Sequence, residues 1–252
     1  MNRLQQLLGR YAVVFVLALG VFQTARAGGP GGADGGGSGS ILGSVRLDGL
    51  APKPAHIVMS ADDVCAKLHP AGASAEDVVV GANGSLGNVI VYVSDGLASG
   101  PVNPPAAPAE IEQKGCMYTP HVVAMQAGQH VKIVNEDGTT HNIHPMPQNN
   151  REWNKSQPPG TQPVDEIFSR EEIAIPVKCN IHPWMKSYVA VFKHPYFAVT
   201  SKDGSFDISK LPPGTYTVTA WHEKFGMQSK KITVGPNGAD KLEFVFKSPL
   251  GR

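Results

Sequence analysis

Three side chains near the end of one predicted strand could hold a metal ion together. Cys179, His182 and Met185 follow one another with the spacing C-x2-H-x2-M. A strand predicted over Glu172 to Val177 runs into the cysteine, and a second strand over Tyr188 to Phe192 follows the methionine. Such a short loop can direct a thiolate, an imidazole and a thioether to one point. These ligand types favour copper in electron-transfer sites.

A fourth candidate ligand lies at the end of an earlier strand. His141 follows the strand and turn Val131 to Thr140 and is itself followed by Asn142. The strand-Asn-x-Asp-turn-His-Asn pattern, with the C-x2-H-x2-M loop after it, resembles the cupredoxin family, and the short loop is most similar to that of the amicyanins. The resemblance implies one type 1 (blue) copper held by four ligands: His141, Cys179, His182 and Met185. It also implies that Met185 is the axial ligand and that Asn142 holds the loop through hydrogen bonds.

Each of these residues also has a plainer interpretation. Cys179 could be half of a disulfide, His182 a surface histidine and Met185 a residue that fills the core. His144 competes with His141 for the same strand end, and Met146 could contribute a further soft ligand.

The cysteine count is odd, and the chain is predicted to be exported to an oxidising compartment, where free thiols rarely persist. If Cys179 binds copper, as the resemblance implies, Cys65 and Cys116 are left to form a disulfide.

The N-terminal residues predict export. Arg3 and Arg10 precede an apolar run over Tyr11 to Phe22, and Ala25-Arg26-Ala27 provides a small-x-small cleavage site. We therefore expect a signal peptide over residues 1–27, cleaved after Ala27, and a periplasmic or secreted protein. A membrane anchor is the alternative, but the apolar run is shorter than the about 20 residues that a spanning helix needs, so no transmembrane anchor is expected after cleavage. Residues 28–40 are rich in glycine and are predicted to form a flexible tether.

Charge gives no indication of a nucleic-acid partner. The full chain has 22 Lys and Arg and 21 Asp and Glu, and loss of Arg3, Arg10 and Arg26 with the signal leaves 19 basic against 21 acidic residues. A net charge near −2 provides no attraction for nucleic acid or for an anionic membrane.

Most of the remaining chain is predicted to be β-structure. Alternating or β-branched segments are punctuated by turn sequences such as Asp203-Gly204 and Pro212-Pro213-Gly214. Only Ala61 to Leu68 indicates a short helix. The fold class is therefore all-β with two β-sandwiches. The resemblance implies that one of them is a cupredoxin Greek-key domain, and the other is a smaller sandwich. The predicted strands are 41–47, 88–94, 122–124, 130–134, 172–177, 188–192, 215–221, 231–234 and 242–246.

The smaller sandwich has a resemblance of its own. Residues 200–234, around the turn Leu211-Pro212-Pro213-Gly214-Thr215-Tyr216, resemble the carboxypeptidase regulatory-like family, whose members are small transthyretin-like sandwiches. The first strands of that family correspond here to Gly43-Ser44-Val45 and Asn88 to Ser94. We therefore predict a discontinuous regulatory-like domain of residues 41–100 plus 196–248, with the cupredoxin domain, residues 101–195, inserted in it. Two consecutive domains are the alternative.

Residues 146–166 lack periodicity and are expected to form either a lid or docking loop beside the metal or a solvated insertion.

These features predict a carrier of single electrons between periplasmic or surface partners, such as a c-type cytochrome or a quinol or dehydrogenase system. In cupredoxins the second histidine of the loop lies near the surface, so we expect Pro183 and Trp184 to form a small docking patch, unless Trp184 packs inward. A copper carrier or chaperone, and a wall- or carbohydrate-binding scaffold with an incidental copper site, remain alternatives. No enzyme is predicted, because no second metal cluster, H-x-H pair or C-x-x-C-H motif occurs in the sequence.

Overall fold

The computed structural model describes residues 37–100 and 102–251, and the predicted signal peptide and most of the predicted tether lie outside these residues. Strands form nearly all of the regular structure, so the all-β prediction is confirmed. In chain order the elements are β1 (Gly39–Asp48), β2 (His56–Ile57), α1 (Asp63–Leu68), β3 (Ala73–Ser74), β4 (Ile90–Asp95), β5 (Ala109–Lys114), β6 (Met117–Thr119), β7 (Val122–Gln126), β8 (His130–Asn135), β9 (His141–Pro145), β10 (Lys155–Gln157), β11 (Val164–Ile167), β12 (Glu172–Lys178), β13 (Lys186–Phe192), β14 (Phe197–Val199), β15 (Ser205–Leu211), β16 (Gly214–His222), β17 (Gly226–Val234) and β18 (Ala239–Lys247).

Two pairs of sheets define two sandwiches. The outer sandwich consists of the sheets β15-β1-β18 and β14-β4-β16-β17, and the inserted sandwich of β10-β9-β12-β13-β7 and β11-β8-β5-β6. The outer sandwich thus takes strands from both sides of the inserted one in the sequence. The predicted boundaries, 41–100 plus 196–248 around 101–195, stay a prediction that this strand pairing supports.

Each sandwich has its own buried core. Phe244, Phe246 and Val91 belong to the core of the outer sandwich, whereas Cys179 and Met185 lie in the core of the inserted sandwich. A third cluster around Ile90 and Phe192 joins the two. The candidate ligand loop is therefore anchored in packed side chains and is not on a free edge.

The first strand begins at Gly39, earlier than the predicted end of the tether at Ser40. Ser40 pairs in parallel with Ala239, and Gly39 pairs with Leu211. A Cβ at Gly39 would come within 2.4 Å of Val234 Cγ1, so glycine permits this close approach. The tether prediction was therefore wrong for Gly39 and Ser40, because backbone pairing and not side-chain pattern extends the strand.

The segment 146–166 is neither a lid nor a solvated insertion. It contributes β10 to the edge of one sheet of the inserted sandwich and β11 to the edge of the other. Gln157 is buried and donates a hydrogen bond to the carbonyl of Ile133 at 3.0 Å. Strands this short have no visible period, which is why the sequence pattern missed them.

Residues 49–89, between β1 and β4, form a cap segment that carries β2, α1 and β3. Among the described residues, no helix combines the length and the apolar character needed to cross a membrane.

Candidate metal centre

The loop between β12 and β13 carries three of the candidate ligands. β12 ends directly before Cys179, and β13 begins directly after Met185. The backbone N–H of Cys179 donates to the carbonyl of Met185 at 3.3 Å, and the N–H of Met185 donates to that of His182 at 2.9 Å. These two bonds close the loop, in which Cys179, His182 and Met185 are buried.

A turn before β9 positions His141. The side chain of Asn135 donates to the carbonyl of Thr139 at 2.9 Å and accepts from the N–H of Asp137 at 3.0 Å. β9 then starts at His141 and pairs with β12, with His144 opposite Lys178. This register places His141 beside the start of the Cys179 loop.

Two imidazoles and one thiol meet in the interior. His141 Nδ1 lies 2.9 Å from His182 Nδ1, and Cys179 Sγ lies 4.0 Å from His182 Nδ1. One ligand atom from each of the three side chains lies within 4.8 Å of the others. His141 is fully buried, and Cys179 and His182 are each 2% exposed. The structure therefore brings three of the four candidate ligands to a single point.

Two carboxylates fix the orientation of both imidazoles. His141 Nε2 donates to Asp137 Oδ2 at 2.8 Å, and His182 Nε2 donates to Asp62 Oδ2 at 3.2 Å. A carboxylate only accepts, so each Nε2 carries a proton and each neutral ring has a bare Nδ1 lone pair. Two bare lone pairs facing each other at 2.9 Å repel, unless a cation lies against them. A histidine that binds a metal through one nitrogen usually donates the other N–H to a carboxylate in this way.

The charges around His141 agree with a cation at this position. Burial lowers the pKa of His141, but its hydrogen bonds to Asp137 and Cys179 outweigh burial and raise the pKa to about 8. Without a metal, a proton on Nδ1 thus takes the place that a metal ion would occupy.

The sulfur of Cys179 is stabilised as a thiolate. Burial raises the pKa of the thiol, but hydrogen bonds from His141 and from the amides of Asn142 and His182 lower it overall. The N–H of His182 donates to Sγ at 3.3 Å. The thiolate is the metal-binding form of cysteine, so the donor set of two imidazoles and one thiolate fits copper.

Asn142 is hydrogen-bonded to the ligand loop, and Met185 lies in the core beneath it. Asn142 Oδ1 accepts a hydrogen bond from the N–H of Asn180, which links β9 to the ligand loop, and its amide donates to Asn154. Met185 is fully buried in the same core cluster as Cys179. The assignment of His141, Cys179, His182 and Met185 as the ligands stays a prediction, as does the axial role of Met185.

His144 lies apart from this cluster. Its Nε2 donates to Glu152 at 2.6 Å, and its Nδ1 lies 3.3 Å from Asn180 Oδ1. Neither nitrogen belongs to the group formed by His141, Cys179 and His182. Met146 follows β9 and donates its backbone N–H to the carbonyl of Pro176.

The predicted disulfide is confirmed. Cys65 in α1 is bonded to Cys116, with a separation of 51 residues, and Cys179 is the free cysteine of the described residues. The bond ties the cap segment to the inserted sandwich beside the candidate site.

The sequence did not indicate that two acidic residues, Asp137 and Asp62, contact the candidate ligands. Asp137 was interpreted only as part of a turn, yet it accepts hydrogen bonds from the amides of Gly115 and Cys116 as well as from His141. Asp62 caps α1 through Oδ1 and reaches His182 through Oδ2. The Asn-x-Asp pattern before His141 could have indicated Asp137. The sequence position of Asp62 indicates only that it caps α1. It does not indicate a contact with His182, which is distant in the sequence.

The expectation that His182 lies near the surface was wrong. The cap segment covers the ring, because Asp62 bonds its Nε2 and Cys65 Sγ lies 3.8 Å from the same atom. Pro183 is exposed, while Trp184 is half-buried and donates its indole N–H to the carbonyl of Cys116 at 3.0 Å. The docking role of Pro183 and Trp184 stays a prediction.

Fold and site together define an all-β protein of two sandwiches, with a buried cluster of two histidines and one cysteine in the inserted one. Residues 187–247 match the model of the carboxypeptidase regulatory-like domain, which confirms the predicted resemblance of residues 200–234 to that family. No curated protein matches the chain.

The similar solved structures are cupredoxins and a copper enzyme. A copper-containing nitrite reductase from Thermus scotoductus SA-01 is 20% identical over 39% of this chain and 25% of its own, with a TM-score of 0.32. A purple cupredoxin from Nitrosopumilus maritimus is 23% identical over 33% of this chain and 98% of its own, with a TM-score of 0.29. A Cu(I) form of an amicyanin mutant is 17% identical over 40% of this chain and 97% of its own, with a TM-score of 0.30. At these identities and TM-scores the neighbours carry no assignment of function.

Proposed function

We propose that this chain is an exported type 1 copper protein that carries single electrons between periplasmic or surface redox partners, and that it is not an enzyme. The observation that carries the proposal is the meeting of His141 Nδ1, His182 Nδ1 and Cys179 Sγ, with each imidazole fixed from behind by a carboxylate. Among side-chain metal sites, two histidines and one cysteine with a nearby methionine are typical of blue copper.

Copper in such a site accepts and returns one electron by changing between Cu(II) and Cu(I). The protein's part is to hold the donors in one arrangement for both states. The loop hydrogen bonds, the Asn142 link to Asn180 and the two carboxylates restrain the donors, which keeps rearrangement during electron transfer small.

The described residues favour a single metal. Three groups of side chains could hold an ion, but each contains His141 or His182. Two of the groups also need Cys65 or Cys116, whose sulfurs are joined in the disulfide. The three groups therefore reduce to one site.

The first experiment is a copper titration of purified protein. We expect one equivalent to bind and to give an intense visible band, because a short bond between Cu(II) and thiolate has a strong charge-transfer transition. Cys179→Ser should abolish the band and His141→Ala should distort it. His144→Ala is the matched control, since His144 lies on the same strand and bonds Glu152, and it should leave the band intact. Loss of the band in His144→Ala with retention in His141→Ala would refute the ligand set.

A copper carrier is the second candidate, and the burial of His141, Cys179 and His182 argues against it, because buried ligands exchange metal slowly. The two are separated by mixing the reduced, copper-loaded protein with an oxidised c-type cytochrome. Colour that develops while copper is retained supports an electron carrier. Copper that leaves without a colour change would establish the carrier instead.

A further inference from the structure

A cavity of about 300 Å³ lies where three parts of the chain meet. The inserted sandwich contributes Trp184 and Tyr188, the cap segment contributes Ala75, and the turn after β16 contributes Glu223. The outer sandwich thus provides a wall of a cavity next to the candidate copper site.

One wall of the cavity is in direct contact with a candidate copper ligand. The ring of Trp184 lies 5.0 Å from that of His182, centroid to centroid, and its indole N–H is held by the carbonyl of Cys116. Asp62 and α1 close the Nε2 side of His182. Trp184 therefore forms a contact between the buried imidazole and a space that a small molecule can enter.

A buried acid–base pair forms another wall. His121 Nε2 and Glu223 Oε1 lie 2.5 Å apart, and the two side chains are 6% and 11% exposed. Burial and the charge of Glu223 raise the pKa of Tyr188, so its phenol stays protonated. The carboxylate of Glu223 is thus the anionic group of this pair that can accept a hydrogen bond from a bound hydroxyl group.

Size and charge narrow the class of ligand. A cavity of about 150 Å³ holds benzene, so this one admits a single substituted ring but not a porphyrin. Three carboxylates, from Glu76, Asp77 and Glu223, line it with two ammonium groups, from Lys186 and Lys224, and Lys224 is paired with Asp77 at 2.9 Å. This balance disfavours an anionic ligand. A neutral ring with hydroxyl groups can stack on the aromatic wall and donate to the carboxylate.

We propose that this cavity binds a neutral, one-ring hydroxylated aromatic reductant of the hydroquinone type and is the site where electrons enter. The electron-transfer step rests on the proposed function, because its electron acceptor is the proposed copper ion. The O–H bond of the donor breaks, its proton passes to the carboxylate of Glu223, and one electron passes through the rings of Trp184 and His182. The donor is oxidised by one electron, and copper is reduced from Cu(II) to Cu(I).

Binding is tested on metal-free protein, so that its outcome does not depend on copper. Hydroquinone is titrated under argon and followed by calorimetry and by saturation-transfer NMR. Ala75→Trp fills the cavity and should weaken binding at least tenfold. Ala71→Trp, an exposed site on the same segment outside the cavity, is the matched control and should bind as the wild type does. Absence of binding, or equal binding by both variants, would overturn the proposal.

The proton step is tested on copper-loaded protein. Loss of a positioned proton acceptor typically slows a reaction about 10²-fold or more, so Glu223→Gln should slow reduction by hydroquinone to that extent. Hexacyanoferrate(II) gives up no proton, so the rate at which it reduces the Glu223→Gln variant should equal the wild-type rate. The visible band of the variant should also be unchanged. Glu171→Gln, a surface carboxylate paired with Lys193, is the control and should react at the wild-type rate.

Wild-type rates in Glu223→Gln would refute the proton role. Protein that binds hydroquinone in the cavity but never becomes blue with copper would refute the proposed function and leave the binding site standing.

Discussion

Substitution of Asp137 by asparagine tests whether a carboxylate behind His141 organises the site. The side chain is 5% exposed. Its Oδ1 accepts from the amide of Gly115 at 2.7 Å, and its Oδ2 accepts from the amide of Cys116 at 2.7 Å and from His141 Nε2 at 2.8 Å. Burial raises the pKa of Asp137, but these bonds lower it overall. Asp137→Asn keeps the shape and removes one acceptor atom.

The amide cannot satisfy all three donors. Its NH2 group must face an N–H of the backbone or of His141, and an unsatisfied buried donor costs about 1–3 kcal/mol. We therefore expect the free energy of unfolding of the metal-free protein to fall by about 2 kcal/mol. If the NH2 group faces His141, the imidazole takes the other tautomer, with a proton on Nδ1. Copper affinity should then fall about 10–100-fold, which is the usual effect of losing such a partner.

The measurements are guanidinium unfolding of metal-free protein and copper affinity by competition with a chelator. Asp165→Asn is the matched control, because Asp165 bonds His130 at 2.7 Å in a pair whose side chains are about half exposed. An exposed pair contributes about 0–1 kcal/mol, and this one is remote from the ligands. The reasoning is refuted if both variants lose the same stability and bind copper as the wild type does.

Three further outcomes are expected. Thiol counting on denatured, metal-free protein should find one free thiol, Cys179, and three free thiols before reduction would contradict the pairing. Reduction of the Cys65–Cys116 bond, whose cysteines are 51 residues apart, should lower the free energy of unfolding by about 4 kcal/mol. Burial lowers the pKa of His222 to about 4, so between about pH 6.5 and 4 this residue binds more protons in the unfolded chain than in the folded protein. The free energy of unfolding should therefore fall by about 3 kcal/mol as the pH drops through that range, and His222→Gln should remove this dependence. Trp184→Ala should keep the blue band but slow electron exchange with a c-type cytochrome, and an unchanged rate would exclude Trp184 from the route.

Local signals in the sequence were sufficient for nine of the 18 strands in the described residues and for the position of the ligand loop. β12 and β13 have β-branched and apolar residues in continuous runs, and the spacing of Cys179, His182 and Met185 fixes how far apart those side chains can lie. Both features depend on residues close together in the chain, and pattern analysis is most reliable for these.

Strands without an apolar pattern of their own were not predictable. β10, with the sequence Lys-Ser-Gln, has no apolar alternation, and it is a strand because β9 offers a free edge opposite it. The start of β1 at Gly39 has the same origin, since β15 and β18 extend far enough to pair with it. In each case the neighbouring strand determines the structure, and the neighbour is not visible in the local sequence.

The cap segment shows why the residues around the site were harder to predict from the sequence than the candidate ligands. Its Asp62 meets His182 across 120 positions of sequence, and its Cys65 bonds Cys116 next to the amides that hold Asp137. A segment limited to residues 101–195 would contain all four candidate ligands, yet it would leave His182 Nε2 without its carboxylate and Cys116 without its partner. The orientation of the second imidazole therefore depends on chain that precedes β4. The two sandwiches are for this reason coupled through the candidate copper site as well as through the apolar cluster of Ile90 and Phe192.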